Sequence, residues 1–126
     1  MFDTTVLVAN LRGDEEARVF LLGLLAGGHT LATSCVSVAE IEHGVRPGER
    51  KAATALLDRL SYLQTTRDAA ERAGRYQAEF RRRGRTLQIG DALIAGTARA
   101  HGSILVTSNV KDFPMRDLQV QAPPAC

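Results

Sequence analysis

Four acidic side chains of this sequence occupy positions where carboxylates can do chemistry: Asp3, Glu40, Asp91 and Asp112. Each one follows an expected strand closely or begins an expected helix. Taken singly, each has an ordinary explanation, because acidic residues commonly cap helices and form turns. The question is therefore whether the four side chains meet in space.

If the four carboxylates lie close together, a binding site becomes a better explanation for them than separate caps and turns. In an open parallel α/β sheet, ligands bind beyond the carboxyl ends of the strands. Carboxylates gathered there repel one another unless a cation neutralises them. Their hard oxygen atoms suit Mg²⁺ or Mn²⁺, and such an ion can activate water for phosphodiester hydrolysis. The three histidines, His29, His43 and His101, are scattered, so no nitrogen-rich metal site competes.

Hydrophobic periodicity predicts the elements that must position these acids. Helices are expected over residues 14–26, from Ser37 to about Gly44, and over 49–60, 68–83 and 91–101. Strands are expected over 30–36, 62–65, 104–107 and 118–121, with a brief strand ending at Asp3 and a helix starting after it. The spacing of Ser37 and Glu40 has the form of a capping box. Alternating strands and helices predict one α/β domain whose parallel sheet is covered on both faces.

Composition narrows the class of protein. The chain has 126 residues, of which 44% are hydrophobic and 24% charged, as in a single globular domain. Its net charge of +2 does not by itself indicate nucleic-acid binding. Cys35 and Cys126 do not form a disulfide framework. No secretory signal is recognisable and the longest apolar run is too short to span a bilayer, so we expect a cytoplasmic protein without a membrane partner.

Four segments together resemble the PIN-domain family, and within it the VapC-type toxins of type II toxin–antitoxin systems. The segments are Phe-Asp-Thr-Thr-Val-Leu-Val at 2–8, Ser-Val-Ala-Glu-Ile-Glu-His-Gly-Val at 37–45, Arg-Arg-Arg-Gly-Arg at 81–85 followed by Asp-Ala-Leu-Ile-Ala at 91–95, and Thr-Ser-Asn-Val-Lys-Asp-Phe at 107–113. Each is weak alone, but they occur in the family's order. They cover nearly the whole chain, so the resemblance implies a single PIN domain over residues 1–126.

The resemblance implies a three-layer α/β/α sandwich with a central parallel sheet and an acidic pocket for Mg²⁺ or Mn²⁺. It also implies an endoribonuclease that cleaves RNA, often transfer or ribosomal RNA. Asp3, Glu40 and Asp91 match the family's three core acids. Asp112 is the candidate for the fourth, while Asn109 stands where many members carry an acid. The side chains expected to support the acids are Thr5, Thr107 and Asn109.

The same resemblance implies partners. A VapB-type antitoxin is expected. Apolar positions on the helices at 14–25 and 49–60 fit a homodimer or an antitoxin groove, although the pattern alone does not separate these uses from core packing. A cluster of arginines, taken alone, favours a solvated helix end, but with the resemblance it gains weight as a contact for the RNA backbone or the antitoxin: Arg81, Arg82, Arg83 and Arg85.

Two alternatives to a nuclease remain open. A catalytically inactive PIN-like RNA-binding or regulatory module would keep the fold without cleaving. A phosphatase of the haloacid-dehalogenase type would need a second Asp where Thr5 stands, so the sequence does not favour it.

Overall fold

Helices alternate with short parallel strands along residues 1–123, which are the residues that the computed structural model describes. The helices are α1 (Thr4–Leu11), α2 (Glu15–Ala26), α3 (Cys35–Gly44), α4 (Arg50–Asp58), α5 (Arg67–Arg82) and α6 (Ile89–Ala100). The strands are β1 (Ala32–Ser34), β2 (Ser61–Leu63), β3 (Leu105–Val106) and β4 (Val120–Gln121), and a 3-10 turn spans Val110–Asp112. Cys35 is a free thiol, and Cys126 lies outside the described residues.

Side-chain caps explain where three helices begin. The Asp3 carboxylate accepts a hydrogen bond from the backbone N–H of Thr4 at the start of α1. The Asp14 carboxylate accepts from the N–H groups of the first turn of α2, and the Thr66 hydroxyl accepts from the first turn of α5. These bonds satisfy N–H groups that have no partner within the helix.

The N-terminal segment joins two pairs of parallel strands. β1 pairs with β2, and β3 pairs with β4. Phe2 N donates to Ala32 O (2.9 Å) on one side, while Asp3 N donates to Val106 O (2.8 Å) on the other. The spatial order is therefore β2, β1, residues 1–3, β3, β4. This confirms the predicted parallel sheet, and it makes the N-terminal segment the point at which strand order reverses.

Helices cover both faces of this sheet. Met1 and Leu105 belong to a core built with α5 and α6, whereas the next residues along the chain, Phe2 and Val106, belong to a second core built with α1 and α2. Successive side chains of a strand point to opposite faces, so two separate cores mean two covered faces. The expected three-layer α/β/α sandwich is confirmed.

α5 and α6 cross at very short range. A Cβ atom at Gly96 would lie 2.3 Å from the backbone oxygen of Ala69 and 3.3 Å from the Cβ of Ala73. Real Cβ atoms do not come that close to a backbone oxygen, so only glycine permits this crossing. The crossing fixes α6, whose first turn carries Asp91, against the long helix α5.

Within residues 1–123, the structure contains no helix with both the length and the apolar character needed to cross a membrane.

Candidate active site

The predicted acids lie around the carboxyl ends of the central strands. Asp3 ends the N-terminal segment at which strand order reverses, and Thr107 directly follows β3. α3 starts where β1 ends and carries Glu40 in its second turn. In open α/β sheets this switch point is where ligands bind.

Asp3 is the most enclosed of the four acids, with 5% of the residue exposed. Its Oδ1 accepts from Thr4 N (2.6 Å), and its Oδ2 accepts from the hydroxyls of Thr107 (2.7 Å) and Thr5 (3.3 Å). Asn109 N in turn donates to Thr107 Oγ1 (3.0 Å). A buried carboxylate needs such donors to replace lost water. The structure thus places Thr5, Thr107 and the Asn109 backbone in the surroundings of Asp3.

Glu40 is exposed and is held by a residue of another helix. Its Oε1 accepts a hydrogen bond from Thr4 Oγ1 (2.7 Å), and the same hydroxyl lies 3.1 Å from Ser37 Oγ. The predicted capping box is wrong. The chain turns into α3 three residues before Ser37, so Ser34 is the N-cap residue and makes no side-chain cap bond. Ser37 is instead fully buried inside the helix.

Asp91 lies in the first turn of α6 and is half-buried. The N-cap residue is Gln88, so Asp91 is not the cap that its sequence position suggested. Burial is the largest cause that raises the pKa of Asp91, and the negative charges of Asp3, Asp112 and Glu40 raise it further, to about 6. The four predicted acids therefore form one electrostatic neighbourhood.

Asp112 and Asn109 belong to the turn that follows β3. Asn109 is the N-cap residue of the 3-10 turn, and the half-buried Asp112 ends it. The negative charge of Asp112 raises the pKa of Asp91. Asn109 contacts the site through its backbone N–H, which donates to Thr107 Oγ1. Arg85 donates a hydrogen bond to the carbonyl of Lys111 and so holds the turn.

The four clustered arginines do not share one environment. Arg81 and Arg82 end α5 and are exposed. Arg83 pairs with Glu79 (2.9 Å) on its own helix and lies over the ring of Phe80. Arg85 reaches the turn that carries Asp112. The structure therefore links Arg85, and not the whole cluster, to the acidic site.

The sequence did not identify two residues of this site, Thr4 and Ser37, as neighbours of the acids. The sequence pointed to Thr5 as the supporting hydroxyl and to Ser37 only as a cap. The sequence did carry a signal for Thr4. It is a polar residue directly after Asp3, in the first turn of the helix that Asp3 caps. Its partner on α3 could not be deduced, since that contact joins residues 36 positions apart.

The acids do not form a closed cage. Within residues 1–123, no group of three or more His, Cys, Asp and Glu side chains is arranged to hold one metal ion. The arrangement offers carboxylate oxygens that can bind a cation, and the negative charges of the other three acids act on Asp91. Such a set can attract a hard cation and a water molecule near a phosphate.

Sequence comparisons cover almost the entire chain. The family model for the PIN domain matches residues 1–116. The chain is similar to Ribonuclease VapC10 of Mycobacterium tuberculosis, with 39% identity over 115 residues that cover 91% of this chain and 86% of that protein. It is also similar to Ribonuclease VapC19 of the same species, with 37% identity over 120 residues that cover 94% and 96% of the two chains.

A structural comparison agrees with the sequence comparisons. The crystal structure of VapBC2 from Rickettsia felis, bound to a DNA fragment from its promoter, contains a chain with a TM-score of 0.81 and 26% identity. The alignment covers 97% of this chain and 96% of that one. The similarity therefore extends over the complete fold.

Proposed function

This chain belongs to the PIN domain family, and from that premise we propose that it is the toxin of a type II toxin–antitoxin pair. It is an endoribonuclease that hydrolyses phosphodiester bonds of RNA and thereby inhibits translation. We infer transfer or ribosomal RNA as the target and residues 1–126 as one PIN domain. The similarity to proteins named as ribonucleases favours this function over an inactive RNA-binding or regulatory module.

One observation carries the assignment of the active site. Asp3, Asp112 and Glu40 all lie close enough to Asp91 for their negative charges to add to the effect of burial, which together raise the pKa of Asp91 to about 6, so the four acids share one site. We propose Asp3, Glu40, Asp91 and Asp112 as the residues that hold Mg²⁺ or Mn²⁺. We prefer Asp112 to Asn109 for the fourth position, because Asp112 carries a negative charge that raises the pKa of Asp91.

The oxygen donors fit such an ion. Mg²⁺ keeps several water ligands and needs only one or two protein carboxylates, so a closed cage is not required. When bound, the ion supplies an activated water and stabilises the charge that develops on the phosphate. The protein's own residues fix the geometry: Thr5 and Thr107 hold the Asp3 carboxylate, and Arg85 holds the turn that carries Asp112.

We propose a VapB-type antitoxin and a second copy of this chain as protein partners, with cytoplasmic RNA as the substrate. The apolar side chains Val19, Leu22 and Leu25 remain exposed on α2. A groove of about 320 Å³ runs along α2, with Arg18 and Arg59 in its lining. Exposed apolar area of this kind supports a protein interface.

The test is cleavage of total cellular RNA by the purified chain, with 5′ ends mapped in the presence of Mg²⁺ and of a chelator. Asp3→Asn keeps the shape of the side chain and removes its charge. We expect it to abolish cleavage and growth inhibition while leaving the circular dichroism spectrum unchanged. Asp58→Asn removes an exposed acid at the end of α4 and serves as the matched control. Full activity of Asp3→Asn with Mg²⁺ present would refute the assignment.

A further inference from the structure

Thr4 contacts two of the proposed catalytic acids at once. Its backbone N–H donates to Asp3 Oδ1 (2.6 Å), and its hydroxyl lies 2.7 Å from Glu40 Oε1. Asp3 ends the central segment of the sheet, whereas Glu40 lies on α3, so the two acids are held by different parts of the chain. Thr4 is the residue that connects them.

The hydroxyl protons fix the direction of this contact. Thr4 Oγ1 lies within hydrogen-bond distance of both Glu40 and Ser37, yet it carries a single proton. An ionised carboxylate can only accept, so the Thr4 proton goes to Glu40. Ser37 Oγ lies 3.1 Å from the same hydroxyl, and Ser37 is 0% exposed, so Thr4 is packed against a buried residue of α3.

Glu40 depends on this contact for its orientation. It is exposed, and within the part of the chain that the structure describes, the Thr4 hydroxyl is its only hydrogen-bond donor. A free Glu side chain samples many rotamers, and fixing it costs conformational entropy. The 2.7 Å distance lies within the range of charge-assisted hydrogen bonds, which are about twice as strong as neutral ones.

We propose that Thr4 is a positioning residue of the acidic site. Its N–H holds Asp3, and its hydroxyl, which lies beside Ser37, holds Glu40. The separation of the two carboxylates is thereby set before a cation or RNA arrives. This inference rests on the proposed function, because a positioning residue needs a cation site to position.

The test measures Mn²⁺ binding to the full chain by titration calorimetry without RNA, and cleavage rate as a function of Mn²⁺ concentration. Thr4→Val keeps the shape of the side chain and removes the hydroxyl. We expect its Mn²⁺ affinity to fall about tenfold, the usual effect of removing a residue that orients a metal ligand. Its cleavage rate should be restored by excess Mn²⁺. Thr4→Ser restores the hydroxyl and should bind Mn²⁺ as the unaltered chain does.

Two further variants complete the design. Thr54→Val makes the same chemical change on an exposed face of α4 and should leave both measurements unchanged. Thr4→Ala removes the same hydroxyl with a smaller side chain and should weaken Mn²⁺ binding in the same direction, which tests the proposal if Thr4→Val fails to fold. Unchanged Mn²⁺ affinity in folded Thr4→Val or in folded Thr4→Ala would overturn the role of Thr4 alone. An unaltered chain that neither binds Mn²⁺ nor cleaves RNA would overturn the proposed function as well.

Discussion

The carboxyl group of Asp91 lies half-buried in the first turn of α6, near three other acids. Burial first, and then the charges of Asp3, Asp112 and Glu40, raise its pKa from the ordinary 3.8 to about 6. In the unfolded chain this group loses its proton near pH 4, but the folded chain retains it up to about pH 6. The stability that protonated Asp91 provides is therefore present at low pH and is lost as the pH rises from about 4 to about 6.

Asp91→Asn should therefore stabilise the metal-free protein at neutral pH, because asparagine is never charged. We expect a gain of about 1 kcal/mol in the free energy of unfolding at pH 7.5, less than the full pKa shift would give, since the group is half-exposed and screened by solvent. Thermal unfolding in a chelator at pH 5 and pH 7.5 measures it, and the gain should be larger at pH 7.5. Equal gains at both pH values would contradict this prediction.

The environment of each acid, unlike its identity, was not readable from the sequence. The motifs pointed to Asp3, Glu40 and Asp91 from residue type and order. They assigned Ser37 to a helix cap, which the structure contradicts because Ser34 is the N-cap residue, and the cap that was an ordinary explanation for Asp91 is Gln88 instead. The N-cap role depends on the backbone angles of a single residue. When a helix starts two or three residues earlier than expected, a different residue becomes the N-cap.

At the scale of elements, helices were more predictable than strands. Helix hydrogen bonds join residues four apart, so periodicity and a nearby cap largely define a helix. Strand limits depend on the partner strand. Residues 30–36 were predicted as a strand, but only Ala32–Ser34 pair with β2, and Cys35 already begins α3.

The close crossing of α5 and α6 gives a test of packing at this scale. Gly96→Ala would place a Cβ atom 2.3 Å from the Ala69 backbone oxygen, so the helices must separate. We expect the free energy of unfolding to fall by about 1–3 kcal/mol, as for other overpacked cores. Urea denaturation followed by circular dichroism measures the change.

Gly74 on the exposed face of α5 provides the matched control, since a Cβ there would meet nothing within 4 Å. Gly74→Ala should stabilise the protein by about 0.5–1 kcal/mol, because alanine is the better helix former. If both substitutions stabilise the protein, the crossing is looser than the structure indicates.

At the scale of the whole molecule, we propose that Arg81 and Arg82 at the end of α5 bind RNA phosphates beyond the acidic site. Arg81 and Arg82 are exposed and end the helix that packs on α6. RNA that places a phosphate at the acids would need cations to neutralise its neighbouring phosphates. We therefore propose that the RNA runs along the surface formed by Arg81 and Arg82. Arg85 differs from these two arginines because it donates a hydrogen bond to the carbonyl of Lys111 and holds that turn.

The double variant Arg81→Ala/Arg82→Ala should weaken RNA binding and make it less sensitive to salt. For single-stranded RNA, we expect the slope of log affinity against log salt to become shallower by about 0.7 for each phosphate that these arginines neutralise. Fluorescence anisotropy with catalytically inactive Asp3→Asn as background measures it. Arg67→Ala removes an exposed arginine at the other end of α5 and should leave the slope unchanged. An unchanged slope in the double variant would place the RNA elsewhere.

The sequence by itself determined the family, the helices, the parallel sheet and the candidate acids, because these depend on residue type, order and local periodicity. Tertiary structure alone decided which groups hold those acids. Thr4 meets Glu40 only because α1 and α3 leave neighbouring strands at the same end of the sheet, and Thr107 meets Asp3 across 104 residues. Such contacts depend on how elements pack, which no spacing along the chain records.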